Sequence, residues 1–190
     1  MLNVPQMNLL PSILILLIAL LAVFAQAALP GFRPWFGAQV DLLPALMVYA
    51  ALTSNIALVA SLAVVGSLAL DSLSANMLGA SLLPLFACGL VIHSRRDLIL
   101  REQVFAQFVL GGIVSALVPG ATLLLLLSTG QQPLLGWGTV WQFAVASVGG
   151  AVATPLLFWL FDWLNRLLGY QPVTQSSFRP DREIRRGRNY

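Results

Sequence analysis

Lysine is missing from this chain, histidine and cysteine occur once each, and only 9% of its 190 residues carry charge. Soluble domains have roughly a quarter of their residues charged. A chain this poor in charge cannot coat a water-facing surface. A single cysteine, Cys88, allows neither an internal disulfide nor a cysteine metal cluster. Read by itself, it is a small buried hydrophobe. The sequence holds no Walker loop, no GxSxG, no HExxH and no Cys/His ligand set. No catalytic constellation and no cofactor site is therefore expected. Ser128 and His93 fall at opposite membrane faces in the topology below, too far apart for proton transfer.

What is present is apolar. Hydrophobic residues make up 58% of the chain, and the mean hydropathy is +0.86. The expected class is an all-α integral membrane protein. A spanning helix needs about 20 apolar residues, and residues 10–29 supply the first. Ala25-Gln26-Ala27 looks like a small-x-small cleavage site. The leading MLNVPQMN has no basic residue, however, so this segment is expected to stay as a helix.

Residues 40–73 are too long for one helix. Thr53-Ser54-Asn55 breaks them into a second helix near 38–53 and a third near 55–72. The second carries Pro44, and whether it crosses fully is open. A fourth helix is expected near 76–93, a fifth near 103–128 and a sixth near 139–168. Pro84, Pro119 and Pro155 fall inside the last three, where each is expected to kink its helix. Six helices thus occupy residues 1–170, followed by a polar, arginine-rich tail over 171–190.

All ten basic residues are arginines, and they are unevenly placed. With six helices, nine lie on one side: Arg95, Arg96 and Arg101 in one loop, and six from Arg166 onward. Only Arg33 lies opposite. The positive-inside rule makes the nine-arginine side cytoplasmic and puts both termini there. Trp35, Trp137 and Trp141 then mark the outer boundary, and Trp159 and Trp163 the inner one. The loop arginines fix topology and touch anionic lipid. Nucleic-acid binding would need a basic face on a folded module, and none is present.

Asp71 ends a long apolar run near the outer edge, where a carboxylate costs less than at the bilayer centre. Ser72, Ser74 and Asn76 beside it favour helix caps. Asp71 is therefore a turn and cap residue or a partner- or ligand-binding carboxylate. Arg33, Asp41, Asp71 and Gly79 form a candidate outer polar site, with Arg33 expected to pair with one of the two aspartates. Asp162 and Arg166 have the spacing of a same-helix ion pair, and His93 reads as structural. Gly112, Ala116 and Gly120 face the same side of the fifth helix. Ala146 and Gly150 do so on the sixth. Such stripes let backbones approach in lipid, either within the bundle or against a partner helix.

DLLPALMVYAAL (41–52) followed by ALDSLSANMLG (69–79) resembles the MreD family of bacterial rod shape-determining membrane proteins. The matching pattern is Asp71, Ser74-Ala75, then Leu78-Gly79, with an arginine-led loop after the fourth helix. Ala75 stands where the family often has glycine. The resemblance spans about residues 10–168. It implies a non-enzymatic scaffold of the cell-elongation machinery in the inner membrane. It implies an MreC-like single-span partner and proximity to MreB, RodA and a penicillin-binding transpeptidase. The layout is also similar to the substrate-binding subunits of energy-coupling-factor (ECF) vitamin transporters, which bind a small molecule near the outer face.

Overall fold

The computed structural model describes residues 9–28, 40–74, 77–96, 103–130 and 136–167. Arg33, Arg101, Asn76, Trp35 and the arginine-rich tail lie outside them. Among the described residues there are six helices and no strand. They are α1 (Leu9–Ala28), α2 (Leu43–Thr53), α3 (Ile56–Leu73), α4 (Leu82–Arg95), α5 (Val104–Ser128) and α6 (Trp137–Leu167). Three of them, α3, α5 and α6, are long and apolar enough to cross a membrane.

α2 is the centre of the molecule. Every residue from Leu43 to Leu52 is buried. A helix that is apolar all round belongs inside a core. Its 11 residues rise about 16 Å, roughly half the hydrocarbon thickness. It starts five residues later than the sequence pattern predicts. Pro44 lies in its first turn, where a missing N–H is harmless and the fixed φ suits a helix start.

The surrounding helices reach α2 through glycines. A Cβ on Gly66 of α3 would lie 2.6 Å from Leu43, and one on Gly89 of α4 2.6 Å from Met47. Gly149 of α6 faces Val40, just before α2, in the same way. Tyr49 of α2 stacks on Phe161 of α6 at 4.2 Å and meets Phe158 edge-on at 4.9 Å. Such ring pairs add about 0.5–1.5 kcal/mol beyond their buried area.

The break between α2 and α3 is two residues long. Asn55 caps α3, its Oδ1 accepting from the Leu58 N–H at 3.2 Å. A cap of this kind is worth about 1 kcal/mol. On the α2 side of the break, Thr53 donates its hydroxyl to the Tyr49 carbonyl at 2.7 Å.

α4 begins at Leu82, six residues after the predicted start at residue 76. Gly79 is the reason, since its φ of +87° belongs to a turn. Pro84 consequently falls in the first turn of α4 instead of its interior. No helical hydrogen bond is lost there, and the expected kink has no cause. Pro119 and Pro155 do lie inside α5 and α6.

The outside of the bundle is as apolar as its core. Phe105, Phe108, Ile113, Leu117 and Leu124 of α5 are exposed, as are Val148, Val152 and Leu156 of α6. Water would penalise that surface, whereas lipid tails accept it. Trp137 and Trp159, both exposed on α6, are separated by about 33 Å of helix. That separation matches the apolar thickness of a bilayer.

Candidate functional site

Asp71 is 1% exposed, in the last turn of α3. Its Oδ2 accepts from the backbone N–H of Gly79 at 2.9 Å and of Ser81 at 3.3 Å. Its Oδ1 accepts the Ser81 hydroxyl at 2.6 Å. One carboxylate thus ties the end of α3 to the start of α4. Ser81 is the residue preceding α4 and makes no cap bond of its own to that helix. Asp71 instead holds the turn just before α4, through the Gly79 and Ser81 N–H groups, with its carboxylate near the positive end of the α4 dipole. Of the predicted cap residues, Ser74 instead closes α3, its N–H reaching the Asp71 and Leu70 carbonyls. Gly79 and Ser81 are brought together with Asp71. Ser81 carried no sequence signal, because its link to Asp71 spans ten residues and a turn.

Asp41 lies in the non-helical stretch before α2. Burial pushes its carboxyl up to about 6 by penalising the charged form. Asp41 makes no hydrogen bond or ion pair with another described residue. The expected Arg33 pairing lies outside the described residues. Gln26, near the end of α1, has both amide atoms enclosed and unpartnered.

The small-residue face of α5 is used in a different register from the one expected. A Cβ on Gly111 would overlap the Thr154 hydroxyl and the Gly150 carbonyl, and one on Gly150 would overlap the Ser115 side chain. A Cβ on Gly112 would lie 3.3 Å from the Ala151 methyl, a tight contact, and at ordinary distance from Ser147, and Ser147 donates to the Gly112 carbonyl at 3.0 Å. Ala146 is buried, while Ala116 is only half-buried. Gly120 has only Phe143 near it, at 3.7 Å. The tightest crossing therefore involves Gly111, Ser115 and Thr154. A four-residue repeat alone could not reveal them, since Gly111 and Gly112 are adjacent and either could face α6.

At the arginine-bearing end, Arg96 donates to the Ser54 carbonyl at 3.2 Å, and Arg95 is exposed. Asp162 and Arg166 are both exposed and do not meet in an ion pair, against the expectation from their spacing. Two solvated side chains gain little from holding one geometry. Among the described residues no group of three or more His, Cys, Asp or Glu side chains comes together. The chain matches no protein-family model, no curated protein and no solved structure.

Proposed function

We propose that this protein is a non-enzymatic membrane scaffold similar to MreD, acting in the bacterial cell-elongation machinery. In this reading all six helices lie within the inner membrane and both termini are cytoplasmic. Helix faces dock an MreC-like single-span protein and wall synthases. The supporting observation is the Asp71 clamp. The residues that carry the resemblance, Asp71 and Gly79, are joined by a direct hydrogen bond. The pattern is thus one structural unit whose aspartate and turn glycine need each other. The glycine-spaced contacts around α2 add a rigid centre suited to presenting fixed outer faces to other helices.

A second reading, the small-molecule-binding subunit of an ECF-type transporter, draws on Gln26. Its enclosed and unpartnered amide is a polar group a ligand could satisfy. Native mass spectrometry separates the two. A stable complex after co-expression with an MreC-like protein, with no small ligand, supports the scaffold. A retained small molecule and no complex overturns it in favour of the transporter subunit.

A further inference from the structure

The helices around α2 end at different heights. Tyr49 of α2 meets Phe158 and Phe161 of α6, which puts it level with Trp159. Leu43 lies six residues nearer the start of α2, about 9 Å closer to the level of Trp137. Gly66 of α3 packs on Leu43, and α3 runs on for only seven more residues, to Leu73. Gly89 of α4 packs on Met47, and α4 begins only seven residues before it, at Leu82. Measured along the helices from Trp159, Leu73 stands at about 20 Å, Leu82 at about 14 Å and Trp137 at about 33 Å. The turn joining α3 to α4 thus stops about 13–19 Å short of the level where α6 begins.

This turn is not built like one that faces water. Leu73, Met77, Leu78 and Leu83, on it or beside it, are all exposed. Its backbone donors point inward. Gly79 and Ser81 donate their N–H groups to the Asp71 carboxylate, Ala80 to the Met77 carbonyl and Leu82 to the Gly79 carbonyl. Four successive N–H groups therefore have protein acceptors. The Ser81 hydroxyl bonds to Asp71, and the Ser72 hydroxyl bonds back to the Ala69 carbonyl. Ser74 is exposed, a small polar load beside four apolar side chains. In water the solvent would accept from such donors. In hydrocarbon every non-helical backbone group has to find its partner within the protein.

We propose that the α3–α4 turn lies submerged in the membrane leaflet on the Trp137 side, with Met77 and Leu78 covered by lipid acyl chains, about 13–19 Å below the level of Trp137. The inference rests on the reading of this chain as a membrane protein. Asp71, expected near the outer edge, then lies inside the apolar layer, and its carboxylate accepts the bonds that water would take at the surface. The covering partner is lipid because the exposed side chains are apolar and uncharged, and acyl chains occupy that depth.

The test is a depth measurement by electron paramagnetic resonance power saturation. It uses the full chain in vesicles of palmitoyl-oleoyl phosphatidylethanolamine and phosphatidylglycerol, in a Cys88→Ala background. Single spin labels are placed through Leu78→Cys, Trp137→Cys and Val148→Cys. All three positions are exposed, and Val148 lies about 16 Å below Trp137 on α6. Oxygen concentrates among acyl chains, whereas a nickel chelate stays in water. The Leu78 label should be open to oxygen and closed to the chelate. Its depth should match that of the Val148 label to within about 5 Å and exceed that of the Trp137 label by at least about 10 Å. Met77→Cys repeats the measurement if Leu78→Cys melts below the parent chain. A Leu78 label open to the chelate, or no deeper than the Trp137 label, overturns the proposal, since the turn then lies at the surface. A label closed to both reagents also overturns it, because protein and not lipid then covers the turn. A Val148 label open to the chelate overturns the membrane reading itself, and the proposal with it.

Discussion

The ring of His93 places Nδ1 3.1 Å from the carbonyl oxygen of Ala51, in the last turn of α2. A carbonyl only accepts, so Nδ1 carries the proton. Arg96, three residues on, donates to the Ser54 carbonyl. The last turn of α4 thus supplies donors for the unpaired carbonyls that end α2. Positive charge there also suits the helix dipole.

Replacing that donor should be measurable. His93→Ala should lower stability by about 1 kcal/mol, the worth of one hydrogen bond. Arg96→Ala should change it by less than about 0.5 kcal/mol, because that side chain is exposed. Thermal unfolding of the purified protein in detergent distinguishes the two. Equal losses would show that charge, and not the half-buried hydrogen bond, holds the end of α2.

The Asp71 clamp predicts a graded series. Asp71→Ala leaves the buried Ser81 hydroxyl and N–H and the half-buried Gly79 N–H without an acceptor, a loss of about 2–4 kcal/mol. Asp71→Asn keeps one acceptor oxygen and should lose about half as much, with membrane insertion intact. Ser81→Ala removes a single bond and should cost about 1 kcal/mol. A reporter fusion gives insertion, and thermal melts give the ranking. An Asp71→Asn chain that no longer folds would mean the charge itself is required.

The α5–α6 crossing predicts opposite outcomes for two glycines nine residues apart. Gly111→Ala drives a methyl into the Thr154 side chain and the Gly150 backbone. Overpacking of this kind costs about 1–3 kcal/mol, or more against backbone. Gly120→Ala meets only Phe143 at van der Waals distance. It should be neutral or stabilising by a few tenths of a kcal/mol, since alanine favours helix. Melting temperatures of the two variants check the register directly.

Asp41 predicts a pH dependence of fixed sign. Its folded-state carboxyl is raised to about 6, above the roughly 3.9 of an unfolded chain. The folded state therefore binds the proton more tightly. Stability is full below about pH 4 and falls as pH rises through about 6. Asp41→Asn should be more stable than the parent at pH 8 by about 1–2 kcal/mol. That allows for a side chain only half-buried by area. At pH 4 the two should coincide. A variant equally stable, or less stable, at pH 8 would show that Asp41 is ionised and paired in the fold.

The all-helical class, the six helices and the three long apolar ones among them were legible because hydropathy and turn residues act locally. Asn55 caps α3 whatever surrounds it, and α1, α3, α5 and α6 begin and end within two residues of the sequence pattern. The starts of α2 and α4 were not legible. Apolar composition continues past both. Pro44 can sit in a helix start or interior, and Gly79 takes a positive φ only once the turn around it is set.

Asp71 divides the two kinds of information most clearly. Sequence fixes a carboxylate at the end of an apolar run, with turn-forming residues after it, and so restricts it to a cap or a contact. Only the folded chain selects the partners, since Gly79 and Ser81 reach Asp71 after the turn reverses and α4 packs beside α3. The same holds for α5. Its small residues are visible as letters, but the face that meets α6 depends on the angle at which two helices cross. That angle is set by whole surfaces interlocking, through Gly111, Gly150 and Thr154 together, and no single helix carries it.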